Sequence, residues 1–176
     1  MSELQDFIEI SKYAGERFDL VQAGGGNSSV KNNDGTMYIK ASGVYLSDVE
    51  KDNGFSVVKN QEILKWFDDE NIYKESDKRK RDKKTSEYIS KCNLTSNFRP
   101  SIETLLHALL KKYSLHTHPI VVNAITNRAN WKEVLLEIFG NDIILVDYKT
   151  PGIELALELK KETEGKKPSI IFLQNH

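Results

Sequence analysis

The chain is sparing with the residues that carry specialised chemistry. It has one cysteine, Cys92, and four histidines in 176 residues. A single cysteine excludes an internal disulfide and fits a reducing, cytoplasmic setting. Cys92 lies in a polar segment with no histidine nearby, so a surface thiol is expected rather than a nucleophile. No apolar run approaches the ~20 residues that cross a bilayer, so no membrane association is expected. The opening Met-Ser-Glu-Leu-Gln-Asp lacks a basic n-region and an apolar h-region, so no secretory leader is expected either. Neither sign of charge dominates. Lysine and arginine number 25 against 26 acidic residues, a net charge of −1 that favours neither nucleic acid nor membrane. Three motifs are also missing: His-Glu-x-x-His, a glycine loop leading to Gly-Lys-Ser/Thr, and Gly-x-Gly-x-x-Gly between strand and helix. Their absence disfavours metalloprotease, P-loop and dinucleotide-binding chemistry.

What remains is an ordinary globular composition, 39% hydrophobic and 29% charged, long enough for one domain with a sizeable core. Apolar residues at helical spacing predict an amphipathic helix over residues 4–18. Residues 28–31 and 36–40 flank Asn-Asn-Asp-Gly and predict a β-hairpin. A strand over 55–59 and a short helix over 61–67 follow. Residues 68–99 are rich in charge and serine, and hold the run Lys78-Arg79-Lys80-Arg81-Asp82-Lys83-Lys84. Acidic residues flank and interrupt that run, so an exposed, partly helical polar insertion is expected rather than a nucleic-acid patch. Ile102, Leu105, Leu106, Leu109 and Leu110 mark a helix begun by Pro100 and Ser101. Strands are predicted at 113–117, 143–146 and 169–173, and helices at 119–127, 131–139 and 152–161. Alternating strands and helices after residue 100, with hairpins before it, predict a layered α/β domain around a mixed sheet.

Three of the four histidines fall where strands end. His116 and His118 are one residue apart in Ser-Leu-His-Thr-His-Pro, and His176 follows Ile170-Ile171-Phe172-Leu173. Side chains at i and i+2 of an extended segment share a face, so one strand can aim two imidazoles at one point and another strand can add a third. Three neutral imidazoles suffice for a catalytic divalent ion with an open position. Glu103 and His107 are i, i+4 neighbours at the start of the helix just upstream. Glu103 suits a first-turn acid or, beside a metal, a general base. His107, one turn deeper, is expected to support a ligand rather than to be one. The run Gly24-Gly25-Gly26 is a loop whose amides could meet an anion, and Ser28, Ser42, Gly43 and Ser101 could join it if folding brings them together.

Several segments together resemble the class II aldolase/adducin family: Ala-Gly-Gly-Gly-Asn-Ser-Ser-Val, Ile-Lys-Ala-Ser-Gly, Arg-Pro-Ser-Ile-Glu-Thr-Leu-Leu-His, His-Thr-His-Pro and Leu-Gln-Asn-His, in the family's order. The chain is most similar to the aldolase-like region of bifunctional rhamnulose-1-phosphate aldolase/dehydrogenase proteins, which also carry a polar insertion before Arg-Pro-Ser-x-Glu-Thr. The resemblance implies a three-layer α/β/α sandwich with a mixed, largely antiparallel central sheet, here a single domain over 1–176 with its insertion at about 68–99. It also implies that the third histidine is followed by glycine, a further apolar strand and C-terminal helices. Those elements do not follow His176 in this chain.

For function, the resemblance implies Zn2+, or Mn2+, Co2+ or Fe2+, held at His116, His118 and His176, with Glu103 as ligand or catalytic base. Gly26, Asn27, Ser42, Gly43 and Ser101 match positions that bind substrate phosphate. The implied reaction is retro-aldol cleavage of a ketose phosphate through a metal-stabilised enediolate, in a cytoplasmic homo-oligomer, often a tetramer. Two alternatives stay open: epimerisation or dehydration of a sugar phosphate at the same site, and a non-catalytic, adducin-like assembly module.

Overall fold

The computed structural model describes residues 2–166 and 168–176. The first helix, α1 (Glu3–Gly15), is capped by Ser2, whose side chain accepts from the Gln5 amide. Its inward stripe is Phe7, Ser11 and Ala14, three and four residues apart as a one-sided helix requires. Strands β1 (Asn27–Lys31) and β2 (Thr36–Lys40) form the expected hairpin. Gly35 at φ +84° and the Asp34 carboxylate, which accepts from the Thr36 amide, close its turn. Next come β3 (Phe55–Lys59), α2 (Asn60–Lys65), α3 (Glu70–Tyr73), α4 (Lys78–Cys92), α5 (Thr104–Leu109) and β4 (Tyr113–His116). The chain ends with α6 (Ile120–Thr126), α7 (Trp131–Phe139), β5 (Ile144–Val146), α8 (Ile153–Thr163) and β6 (Ile171–Leu173).

Four strands form one sheet in the order β3-β2-β1-β4, antiparallel throughout, with Asn27 opposite His116. Strand alternation then assigns the two faces of β1. Ser28 and Val30 look toward α1, where Ser28 meets Ser11 and Val30 packs with Phe7. Asn27 and Ser29 look the other way, toward Glu103 and His107 of the opposite layer. That second layer holds the larger core, in which Met37, Ile39 and Val58 of the sheet meet Ile63, Trp66, Leu105, Leu155 and Leu159. Helices on both faces of an antiparallel sheet give the α/β architecture that the sequence predicts.

Two expectations change and a third is refined. The central sheet is not mixed: the parallel pair β5-β6 is a separate two-stranded ladder, with α8 as the crossover between its strands. Residues 68–99 are for the most part exposed and partly helical, as expected, but the stretch also reaches into the core. Thr85, Ile89 and Cys92 of α4 are buried, and the Trp66 indole donates to the Thr85 hydroxyl at 3.2 Å. The charge run occupies the outer side of a helix whose inner side belongs to the core. Cys92 is accordingly a buried thiol, and burial raises its pKa. No helix among the described residues is long and apolar enough to cross a membrane.

Candidate metal centre

His116 is the last residue of β4, and His118 lies two residues on, where its amide donates to the Leu20 carbonyl at 2.8 Å. That bond holds the segment extended until Pro119 opens α6. His176 reaches the same place from the other ladder. The Gln174 amide bonds the Val146 carbonyl, and Asn175 takes a left-handed φ of +48°, turning the chain so that the terminal ring swings inward. The His116 ring lies 4.8 Å from that of His118 and 4.9 Å from that of His176, and the last two are 5.6 Å apart. One nitrogen from each of the three lies within 4.8 Å of the others.

The donor set fits a divalent ion. His116 Nε2 and His118 Nε2 are 3.1 Å apart. Two imidazole nitrogens at ~2.0–2.1 Å from one ion lie roughly 2.9 Å apart at a right angle and 3.4 Å apart at the tetrahedral angle. Burial, then repulsion from His116 and His176, push the His118 pKa down to about 4, so near neutral pH its lone pair is unprotonated. Neutral imidazole is the form that binds a metal.

Glu103 touches two of the rings: Oε1 is 3.3 Å from His116 Nδ1 and 3.4 Å from His176 Nε2. Its other oxygen accepts from Asn27 Nδ2 at 3.0 Å. Burial alone would raise its pKa, but the bonds from His116 and His176 outweigh this and hold it well below the usual carboxylate range. A charged, largely buried carboxylate against two imidazoles has the geometry and charge to carry a proton. His107 is fully buried, its Nδ1 2.7 Å from the Ser29 hydroxyl, and burial lowers its pKa. It stands behind Glu103 and His116 as a neutral support.

The phosphate candidates divide. An isolated antiparallel bridge between Ala41 and Pro100 sets Ser42 beside Arg99, with Gly43 following Ser42 and Ser101 following Pro100; the Ser101 hydroxyl accepts from the Glu103 amide at 3.2 Å. Ser28 is not brought into this cluster. Its hydroxyl is fully buried on the α1 face, 2.7 Å from that of Ser11, and simple alternation next to Asn27 would have revealed this. Asn27 is near the centre, but its side chain is engaged with Glu103 and with the Ser28 amide. It therefore orients the carboxylate. Gly26, at φ +75°, lies against the histidine strand: a Cβ there would sit 2.8 Å from the His116 carbonyl oxygen and 2.7 Å from Val21 Cγ1. Close approach to the histidine strand accounts for the glycine at position 26.

Sequence reading missed Lys40. Its Nζ is nearly buried beneath the Ala41–Val44 loop, 2.7 Å from the Val44 carbonyl, and it interacts favourably with Glu103. The signal was available as a charged residue at an inward strand position in Met-Tyr-Ile-Lys-Ala. A cavity of about 370 Å³ opens between β4 and β6 and touches His107, His116 and His176. Ser42, Gly43 and Ser101 are not on its wall.

Residues 5–176 match the family of class II aldolase and adducin N-terminal domains. The chain is 32% identical over 163 residues to the uncharacterized oxidoreductase YuxG of Bacillus subtilis (strain 168), covering 87% of this chain and 22% of that protein. It thus spans about a fifth of the length of that relative. Among solved structures it is similar to the N-terminal class II aldolase domain of a conserved protein from Thermoplasma acidophilum, with TM-score 0.79, 28% identity, and coverage of 99% and 81% of the two chains. It shares its fold with L-fuculose-1-phosphate aldolase from Thermus thermophilus, with TM-score 0.56, 16% identity, and coverage of 99% and 76%.

Proposed function

This chain belongs to the family of class II aldolase and adducin N-terminal domains, and on that footing we propose that it is a divalent-metal-dependent lyase cleaving a ketose phosphate by a retro-aldol reaction. The observation that carries the reading is the convergence of His116, His118 and His176 on one point, with the Glu103 carboxylate against two of the rings. A scaffold that only assembles has no use for a dry, ionised carboxylate beside three imidazoles, so this favours catalysis over an assembly module.

His116, His118 and His176 would hold the ion, zinc first by donor type. When bound, the ion supplies Lewis-acid polarisation of the substrate carbonyl. In the cleavage, the proton leaves the hydroxyl on the far carbon of the scissile bond and the C–C bond breaks. The electron pair passes toward the carbonyl side, and a proton must then reach the new carbanionic carbon. Glu103, ionised at rest, would accept the hydroxyl proton and return it to that carbon, oriented by Asn27 Nδ2 and shielded from bulk water by the surrounding rings. Ser42, Gly43 and Ser101 would receive the phosphate.

The finer assignment is to the aldolase-like region of a bifunctional rhamnulose-1-phosphate aldolase/dehydrogenase, acting in the cytoplasm as a homo-oligomer. Its support is the polar insertion and the Bacillus subtilis relative, which is several times longer and is named an oxidoreductase. The test is a screen of ketose 1-phosphates for release of dihydroxyacetone phosphate, with metal content measured on protein purified without chelator. Release with stoichiometric metal, lost in Glu103→Gln, is expected. Absence of stoichiometric divalent metal, or equal rates in the two proteins, would overturn the reading.

A further inference from the structure

We propose that Arg99 is the cation that selects a phosphorylated substrate, gripping its terminal phosphate dianion over the Ser42–Gly43 loop. This rests on the lyase reading for the rest of the substrate, and it gives a role to the arginine that opens the Arg-Pro-Ser-Ile-Glu-Thr motif, to which the sequence reading assigned none. Two backbone contacts fix its place. Ala41 and Pro100 form a β-bridge, and the Ser42 amide donates to the Arg99 carbonyl at 2.9 Å. The side chain therefore rises beside the loop, with Nη2 3.4 Å from the Ser42 hydroxyl.

Arg17 and Arg81 each pair with a carboxylate, Asp19 and Glu154. Arg99 has no such partner within 4.0 Å among the described residues, and its one polar side-chain contact is a long one to a neutral hydroxyl. A guanidinium held by its backbone yet unneutralised is ready for an anion, and its fork suits the paired oxygens of a phosphate. There is room for one. Gly43 stands at φ +79°, and nothing lies within 4 Å of where its Cβ would be, so ligand oxygens can approach the backbone there. On the loop's buried side, Lys40 Nζ bonds the carbonyls of Ala41 and Val44, tethering the loop and neutralising its carbonyl ends. Ser101 completes the cluster. Because its hydroxyl binds the Glu103 amide, the anion site and the proton carrier are joined through a two-residue step of chain.

A ligand held by Arg99, Ser42, Gly43 and Ser101 at one end and facing Glu103 at the other is a short phosphate monoester, not a polymer. The basic first turns of α4 lie elsewhere, on the side of α8, where Arg81 meets Glu154.

The experiment compares wild type, Arg99→Gln and Arg99→Lys on a ketose 1-phosphate and on the same ketose without phosphate. Glutamine should lower kcat/KM for the phosphorylated sugar by about 10–100-fold, the worth of a charge-assisted hydrogen bond, and mostly through KM. It should leave the unphosphorylated sugar unchanged, and lysine should restore part of the loss. Equal effects on both sugars, or no effect, would overturn the proposal. Binding of inorganic phosphate, followed by calorimetry, separates this from the lyase reading. If neither sugar turns over in wild type, saturable phosphate binding that Arg99→Gln removes still supports the Arg99 site. Phosphate binding absent in wild type, or equal in the two proteins, sinks it whatever the reaction. Unchanged thermal unfolding of Arg99→Gln is expected, since the side chain is exposed.

Discussion

Alanine at Gly26 and alanine at Gly43 form a matched pair that isolates what the glycine loop does. Both positions have nearly the same left-handed backbone, φ +75° and +79°. An L-side chain in that region costs roughly 1–2 kcal/mol, and that cost should be similar at the two sites. At Gly43 the cost ends there, because the new methyl group meets open space. At Gly26 it would lie 2.7 Å from Val21 Cγ1, 2.8 Å from the His116 carbonyl oxygen and 3.0 Å from Leu46 Cδ1. Side chains can yield, but the carbonyl belongs to the backbone of His116, a proposed metal ligand. Overpacking of this kind adds about 1–3 kcal/mol, so Gly26→Ala should lose about 2–5 kcal/mol in all. At about 2–4 °C per kcal/mol for a chain of this size, Tm should fall by roughly 4–20 °C, against about 2–8 °C for Gly43→Ala. Thermal unfolding in chelator measures this, and competition with a chromophoric chelator measures zinc affinity. Displacing the His116 backbone should weaken zinc by about 10–100-fold, as loss of a supporting contact does, while Gly43→Ala leaves zinc binding intact. Equal losses of Tm in the two variants, or equal zinc affinities, would refute the packing argument and return the glycine run to an anion-binding role.

Three further outcomes follow from the structure. Asn27→Ala leaves a buried Glu103 oxygen without its donor and should cost about 1–3 kcal/mol, while Asn27→Asp, which sets a second carboxylate against it, should cost more; urea midpoints that rank the two alike would count against the 3.0 Å contact. Burial lowers the Lys31 pKa to about 8 from the usual ~10.4, so between those values the unfolded chain holds a proton that the folded one has released, and stability rises with pH across that window. Lys31→Met removes that titration, so its stability advantage over wild type should be largest at about pH 7.5 and shrink by about pH 11, on either side of that window; a constant difference would sink the assignment. Ile89→Ala should cost about 2–5 kcal/mol and Glu87→Ala, on the exposed side of α4, under about 0.5 kcal/mol; similar small effects would mean that this helix is not part of the core.

Local pattern carried much of the architecture. The turn residues Asn32 to Gly35 predict the β1-β2 hairpin, and the β3 and α7 limits follow from their own apolar spacing. Period-two geometry was enough to pair His116 with His118, and the motif order was enough to reveal the family. These readings succeed because each depends on residues within one element. Register between elements is different, because it is settled by which surfaces bury best together over the whole chain. Only the folded sheet sets Asn27 opposite His116 and so brings its side-chain amide against the Glu103 carboxylate. Only the packing of α4 against Trp66 shows that a charge-rich stretch hides a buried cysteine. The parallel ladder separate from the antiparallel sheet, Lys40 beneath its loop and Arg99 above it likewise arise from contacts between segments distant in sequence. The chain's own residues thus specify the chemistry available, and tertiary burial decides which of those groups meet.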